Sequence, residues 1–253
     1  MSARPPLEAV LFDAGGTLVR IDFEWISAML AELGLAIDAG TIRRAEVAGR
    51  RAYDRSVGGP REGGSPPLGG VGDTRAYFGT TLAAAGVPTP RLDEALARCF
   101  ERHAATGLWT RPLEGARVAI DGLAALGLRL AVVSNSDGRA EMHLDDCDVR
   151  DGLEFVVDSH LVGVEKPDPG IFGHALDRLG VAAERTLFVG DILSVDAAGA
   201  RAAGMAFVLV DPYGDYAPPG IDAIARLDDL PTFVSDHFTP VATAVGRTPT
   251  TRT

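Results

Sequence analysis

Lysine is almost missing from this chain. Of 24 Lys and Arg residues, Lys166 is the single lysine. Any chemistry needing a lysine amine as Schiff base or general base therefore has one candidate. Cysteine is nearly as scarce. Cys99 and Cys147 make no disulfide framework and read as two free thiols of a reducing cytosol. Long apolar runs are absent as well. The first, residues 9–12, is far too short for a signal peptide or a membrane span, so the expected location is cytoplasmic, with no membrane partner. Basic residues are outnumbered by 35 Asp and Glu, and the net charge of −11 speaks against a nucleic-acid partner. A local positive pocket remains compatible with that total. No glycine-rich loop ends in Gly-Lys, which disfavours nucleoside triphosphate hydrolysis. The histidines at 103, 143, 160, 174 and 237 show no paired metal-ligand spacing and read as helix-face or capping residues. Ser134 lacks both a nearby histidine and the glycine pattern of a nucleophile elbow, which argues against a serine hydrolase. Nothing in the sequence reports the oligomeric state.

What is present is ordinary in bulk: 253 residues, 46% hydrophobic and 23% charged, enough for a sizeable core. Short apolar runs at 9–12, 128–133, 154–157, 186–189 and 206–210 lack polar alternation, as strands covered on both faces do. Helix-length segments at 118–126, 139–147, 169–179 and 195–203 lie between most of them. That alternation predicts an α/β fold with a doubly wound parallel sheet. From Asp22 to Gly107 the rhythm changes. Helical patterns at 23–33, 39–55, 74–85 and 91–105, with Gly34, Gly86 and Gly107 as stops, predict a helical insertion. The expected division is a core of residues 1–20 and 108–236, an insertion of 21–107, and a poorly ordered tail of 237–253. Within the insertion, residues 58–72 hold 7 Gly and 3 Pro and read as a loop, either a connector or a mobile part of a lid.

Four segments carry candidate chemistry. In Val10-Leu11-Phe12-Asp13-Ala14-Gly15-Gly16-Thr17-Leu18, a buried strand ends on a carboxylate and two glycines. Ligands of open parallel sheets gather at such strand ends, though an Asx turn would read the same way. In Leu130-Ala131-Val132-Val133-Ser134-Asn135, a hydroxyl and amides end a second strand. They suit phosphate oxygens, or a helix cap. In Val164-Glu165-Lys166-Pro167-Asp168-Pro169, the lone lysine precedes a proline-bounded helix start. In Leu187-Phe188-Val189-Gly190-Asp191-Ile192-Leu193-Ser194-Val195-Asp196, a third strand ends on one carboxylate with another following. Asp13 and Asp191 on neighbouring strand ends could hold a hard cation such as Mg²⁺.

In this order the four segments resemble the motifs of the haloacid dehalogenase superfamily, in its first subclass with a small four-helix cap after the first motif. The resemblance covers about residues 8–234. It implies a Rossmann-like core with an inserted cap. It also implies a Mg²⁺-dependent hydrolase, most simply a phosphatase of a small phosphorylated metabolite. By resemblance Asp13 is the nucleophile that forms an aspartyl-phosphate. Ser134, the Asn135 amide, Gly16 and Lys166 would bind phosphoryl oxygens, with Lys166 also holding Asp13. Asp13, the Gly15 carbonyl, Asp191 and Asp196 would serve the metal. Arg20, Asp22 and Phe23, at the cap entrance, are candidates for substrate specificity.

One departure stands out. Efficient phosphatases of this family carry a second aspartate two positions after the nucleophile, as general acid and base. Here that position is Gly15. General acid–base help is worth about 10²–10⁴ in rate. Asp22 and Glu24 at the cap entrance are substitutes by position, though solvated surface acids are the simpler reading of both. A protein that binds phosphate and metal with little turnover stays open as an alternative. A 2-haloacid dehalogenase also stays open, since halide leaves without a proton. Dehalogenases of the family need no Mg²⁺ and lack the Gly-Asp-(four residues)-Asp run found here. A phosphonate hydrolase would need a cap lysine, and the cap has none.

Overall fold

The computed structural model describes residues 4–57 and 72–242. Among these described residues, ten strands and ten α-helices follow in chain order. The first segment contributes β1 (Pro6–Leu7), β2 (Ala9–Phe12) and β3 (Val19–Ile21). Four helices follow: α1 (Phe23–Glu32), α2 (Ala39–Ser56), α3 (Thr74–Ala84) and α4 (Thr89–Thr106). The chain returns through β4 (Trp109–Pro112), α5 (Ala116–Ala125), β5 (Arg129–Ser134) and α6 (Ala140–Asp146). Next come β6 (Val156–Asp158), α7 (Ser159–Val162), α8 (Gly170–Leu179), β7 (Thr186–Gly190) and α9 (Ala198–Ala202). The last elements are β8 (Ala206–Val210), β9 (Ala223–Ile224), α10 (Leu230–His237) and β10 (Thr239–Pro240).

The six strands of the main sheet run parallel in the order β6-β5-β2-β7-β8-β9. This is the doubly wound α/β class expected from the apolar runs. Successive strand residues face opposite sides of a sheet. Val10, Phe12, Leu130, Val132, Leu187 and Val189 accordingly pack with Ile120 and Leu123 of α5 and Val234 of α10. Ala9, Leu11, Ala131, Val133 and Phe188 pack on the other side with Ile171, Phe172 and Ala175 of α8. Burial on both faces explains why these runs lack polar alternation.

The four helices between β3 and β4 build a separate apolar cluster around Met29, Leu30, Phe78, Leu82, Leu96 and Cys99. Their starts are written locally. Asp22, Asp38 and Asp73 each accept an N–H of the first turn of α1, α2 and α3, at 2.9, 2.9 and 2.8 Å. Gly34, Gly86 and Gly107 take positive φ just past the ends of α1, α3 and α4. The antiparallel pair β3–β4 joins this layer to the core. Trp109, the first residue of β4, packs against both apolar clusters and so marks their junction. Both cysteines are buried and free.

The expected tail from His237 needs correction. α10 runs to His237, and Thr239 and Pro240 then pair parallel with Pro6 and Leu7. The unpaired edge of β1 draws the chain in despite its polar composition. Residues 243–253, and 58–71 of the glycine-rich loop, lie outside the described residues. No helix among the described residues is long and apolar enough to cross a membrane.

Phe188 is fully buried at the sheet centre, with the Phe172 ring edge-on at 4.9 Å. Replacing Phe188 by Ala should cost about 3–5 kcal/mol. Urea unfolding would show this as a lower midpoint at unchanged slope.

Candidate active site

The strands β2, β5 and β7 end side by side, so the residues that follow them meet at one edge of the sheet. Asp13 follows β2, Ser134 ends β5, and Asp191 follows β7. All three are buried, and they line a cavity of about 150 Å³ together with Asn135, Lys166 and Asp196.

Lys166 organises this cluster. Its ammonium donates to Asp13 Oδ1 at 2.5 Å and to Asp196 Oδ1 at 2.8 Å, and the side chain is 1% exposed. Asn135 fixes the lysine from behind. Its side chain donates to the Lys166 carbonyl at 2.9 Å and accepts the Lys166 N–H at 2.7 Å. Asp196 is held on its other oxygen by the N–H groups of Asp191 and Ile192, at 3.0 and 2.9 Å. The ring of Phe188 lies 5.2 Å below the ammonium.

The electrostatics follow from burial. Desolvation pushes the Asp13 carboxyl up to about 6, with Lys166 pulling it down and Asp196 pushing it further up. Burial also lifts Asp191 well above the usual carboxylate range, against the pull of Arg50 and with help from Asp196 and Asp13. For Lys166 burial works against the charge, but Asp13 and Asp196 outweigh it and hold the ammonium protonated. With all three carboxylates ionised beside one ammonium, the buried site would carry two negative charges. Oxygens of Asp13, Asp191 and Asp196 lie within 4.8 Å of one another. Asp191 Oδ1 is buried with no hydrogen-bond partner. An all-oxygen set with that charge fits one hard divalent cation, and such a cation would reverse the upward shifts.

The other expected site residues divide. Gly15 lines the cavity. Gly16 does not. It has φ +87°, and a Cβ there would fall 2.1 Å from Asp191 Oδ2, so only glycine fits. Its N–H is spent on the Val19 carbonyl at 2.7 Å, which removes it as a phosphate donor. Arg20, Asp22 and Phe23 also lie outside the cavity lining. Arg20 pairs with Glu24 and Glu114. Asp22 caps α1 and pairs with Arg111 at 3.2 Å, and Phe23 is buried among the helices. Glu24, held by Arg20, is no nearer to the cavity.

Residues that sequence reasoning passed over complete the walls. Tyr53 and Thr74 come from the helical layer, as does Tyr77; Trp109 and His143 come from the core side. Tyr77 gives its hydroxyl to the buried Glu46 of α2. His143, taken from sequence as a helix-face residue, lines the cavity. Burial lowers its pKa and Arg139 adds to that, so the ring is neutral near pH 7. Its ring also fills the space beside Gly107, where a Cβ would approach within 2.5 Å. These residues come from four separate elements, α2, α3, β4 and α6, and sequence spacing does not say which of their rings face a cavity.

Trp109 has a particular relation to Gly15. A Cβ at position 15 would stand 3.1 Å from the indole Cδ1 and 3.2 Å from Nε1. The indole thus occupies the space into which a side chain at 15 would grow. Gly15→Ala should therefore destabilise the fold by about 1–3 kcal/mol through overpacking. The pair Gly15→Ala with Trp109→Leu should be less unstable than the two single losses added. Urea unfolding of the four proteins measures this coupling, and additive losses would contradict it.

Comparison with known proteins agrees with this geometry. A family model for haloacid dehalogenase-like hydrolases matches residues 7–204. The haloacid dehalogenase-like hydrolase domain-containing protein 3 of Mus musculus is 39% identical over 131 residues, 51% of this chain and 52% of that protein. The match thus spans about half the length of that relative. A phosphoglycolate phosphatase of Rhodospirillum rubrum is 32% identical over 236 residues, 88% of each protein. Among solved structures, the HAD-hydrolase YfnB of Bacillus subtilis, bound to magnesium, superposes with a TM-score of 0.57 at 20% identity. That alignment covers 91% of this chain and 99% of the other. At such low identity it speaks for the fold alone. With the family model matched over most of its length, this chain belongs to the haloacid dehalogenase-like hydrolases.

Proposed function

We propose that this hydrolase is a Mg²⁺-dependent phosphatase of a small phosphorylated metabolite, acting through an aspartyl-phosphate on Asp13. The observation that carries the reading is the Lys166 ammonium bridging Asp13 and Asp196 inside the cavity. A fixed cation beside a carboxylate nucleophile lets it approach an anionic phosphoryl group. The phosphatase named among the relatives supports the substrate class. In this reading residues 21–107 form a cap over a core of residues 1–20 and 108–236. The small cavity behind that cap selects a small substrate.

Asp13, Asp191 and Asp196 would hold Mg²⁺, with the Gly15 carbonyl as a further oxygen. When bound, the ion supplies charge neutralisation for the phosphoryl oxygens. The chain's own groups do the remainder. Lys166 holds Oδ1 of Asp13, which leaves Oδ2 to attack phosphorus. The bond from phosphorus to the leaving oxygen breaks, and that oxygen departs with the electron pair. The Ser134 hydroxyl and the Asn135 N–H receive phosphoryl oxygens, while the Asn135 side chain keeps Lys166 in place. The oxygen of a water molecule then bonds to phosphorus as the bond from phosphorus to Asp13 breaks, which restores the carboxylate; one water proton stays on the released phosphate and the other neutralises the departed oxygen. Catalysis of this kind rests on positioning and fixed charge.

Gly15 provides no proton for the leaving oxygen, and the Trp109 indole leaves little room for one to be brought there. This favours a second reading, a protein that keeps the phosphate and metal site but turns over slowly on alkyl phosphates. A dehalogenase is disfavoured by the three clustered carboxylates, which such an enzyme has no use for.

Two measurements bear on the proposal. Asp13→Asn should abolish Mg²⁺-dependent release of phosphate, and turnover that survives it would sink the mechanism. Without a general acid, the rate should depend steeply on the leaving group. The kcat/KM for p-nitrophenyl phosphate should exceed that for an alkyl phosphate by about 10²–10⁴. Equal values would mean that another group delivers the proton.

A further inference from the structure

The helix α2 places Glu46, Arg50 and Asp54 four residues apart, on one face. That face meets the loop carrying Asp191 and Asp196. Asp54 accepts the Ser194 N–H at 2.9 Å and the Tyr216 hydroxyl. Arg50 is 5% exposed. It donates to the Val210 carbonyl, at the end of β8, at 3.1 Å, and stands 3.4 Å from Asp191 Oδ2. Glu46 lies 3.4 Å from the same guanidinium nitrogen and takes the Tyr77 hydroxyl on its other oxygen.

Stability is a poor reason for this arrangement. Desolvating an arginine and two carboxylates can cost more than their attraction returns, and apolar side chains would fill the same space. The pattern of partners suggests another reason. Arg50 takes Oδ2 of Asp191, while Oδ1 stays buried with no partner. A buried carboxylate oxygen is costly unless something binds it. An arginine beside a cation site would by itself repel the cation. Glu46 cancels that charge, so the Glu46–Arg50 pair forms a clamp of no net charge. The two negative charges left by the aspartates and Lys166 are then undisturbed.

The geometry points to Arg50 as a positioning residue for a metal ligand. It fixes the Asp191 carboxylate so that Oδ1 is presented to the cation, with Glu46 neutralising the clamp. Because Arg50 belongs to the helical layer and Asp191 to the core, cation affinity depends on α2 being docked. This inference rests on the metal reading proposed above.

The test is Mg²⁺ binding to the full chain by titration calorimetry, without substrate. The double variant Glu46→Gln/Arg50→Met removes the clamp and leaves the net charge of the site unchanged. It should bind Mg²⁺ about 10–100-fold more weakly, the usual loss when an outer partner of a metal ligand is removed. Arg50→Lys keeps the charge but offers no planar fork, and should fall between the double variant and the parent. Unfolding in EDTA separates positioning from structure. A lower unfolding midpoint with Mg²⁺ affinity equal to or tighter than the parent would overturn the inference. Should the double variant fail to fold, Arg50→Lys decides alone, and parental affinity in it is the overturning result. A parent protein that binds no Mg²⁺ would overturn the metal reading itself, whatever the clamp does.

Discussion

The structure turns on one hydrogen-bonded ammonium. Two carboxylates at the ends of parallel strands and a third, Asp196, from the turn after β7 cannot share a buried site as neighbours without a counter-charge. Lys166 supplies it by bonding Asp13 and Asp196 at once. The rest of the local architecture serves that placement. Asn135 grips the lysine through both backbone atoms, and Phe188 forms an apolar floor under the ammonium. The N–H groups of Asp191 and Ile192 keep Asp196 turned toward it. A lysine suits the position because a compact charge with three donors can serve two carboxylates set at an angle, where a planar guanidinium would prefer one. An otherwise arginine-based chain keeps its single lysine where the geometry needs one.

That constraint was legible in the sequence because it is written in short segments. Asp13, Ser134, Lys166 and Asp191 each sit beside an apolar run or a proline-bounded turn that fixes where the strand or helix stops. The sheet and the insertion were legible separately, in the alternation of apolar runs with helix-length segments and in its interruption from Asp22 to Gly107. What stayed hidden depends on contacts between distant segments. Glu46 and Arg50 have the spacing of an exposed helix pair, and only burial against Asp191 and Val210 shows otherwise. Trp109 and His143 reveal their facing only once the cavity walls are assembled. Arg20, Asp22 and Phe23 were drawn toward the site by nearness in sequence, whereas β3 carries the chain out of it into the helical layer. The β1–β10 pairing joins segments from opposite ends of the chain, and strands of two residues leave no periodicity to read.

Gly15 and Trp109 are best understood as one feature. A Cβ at 15 would stand 3.1 Å from the indole of Trp109, so a side chain there would require the ring to give way. The exchange has two opposed effects on chemistry. It removes a proton donor from beside the nucleophile. It also puts an apolar ring where a hydrated carboxylate would stand, which lowers the local dielectric and strengthens the attraction between Lys166 and an anionic group. In the phosphatase reading, the site would give up proton transfer and gain electrostatic grip. That balance suits a leaving group that departs as a stable anion, and it suits a site that holds phosphate longer than it cleaves it. Trp109 packs against the helical layer as well as the core. Any movement of that layer about β3 and β4 would therefore shift the indole, and with it the wall of the cavity beside Gly15.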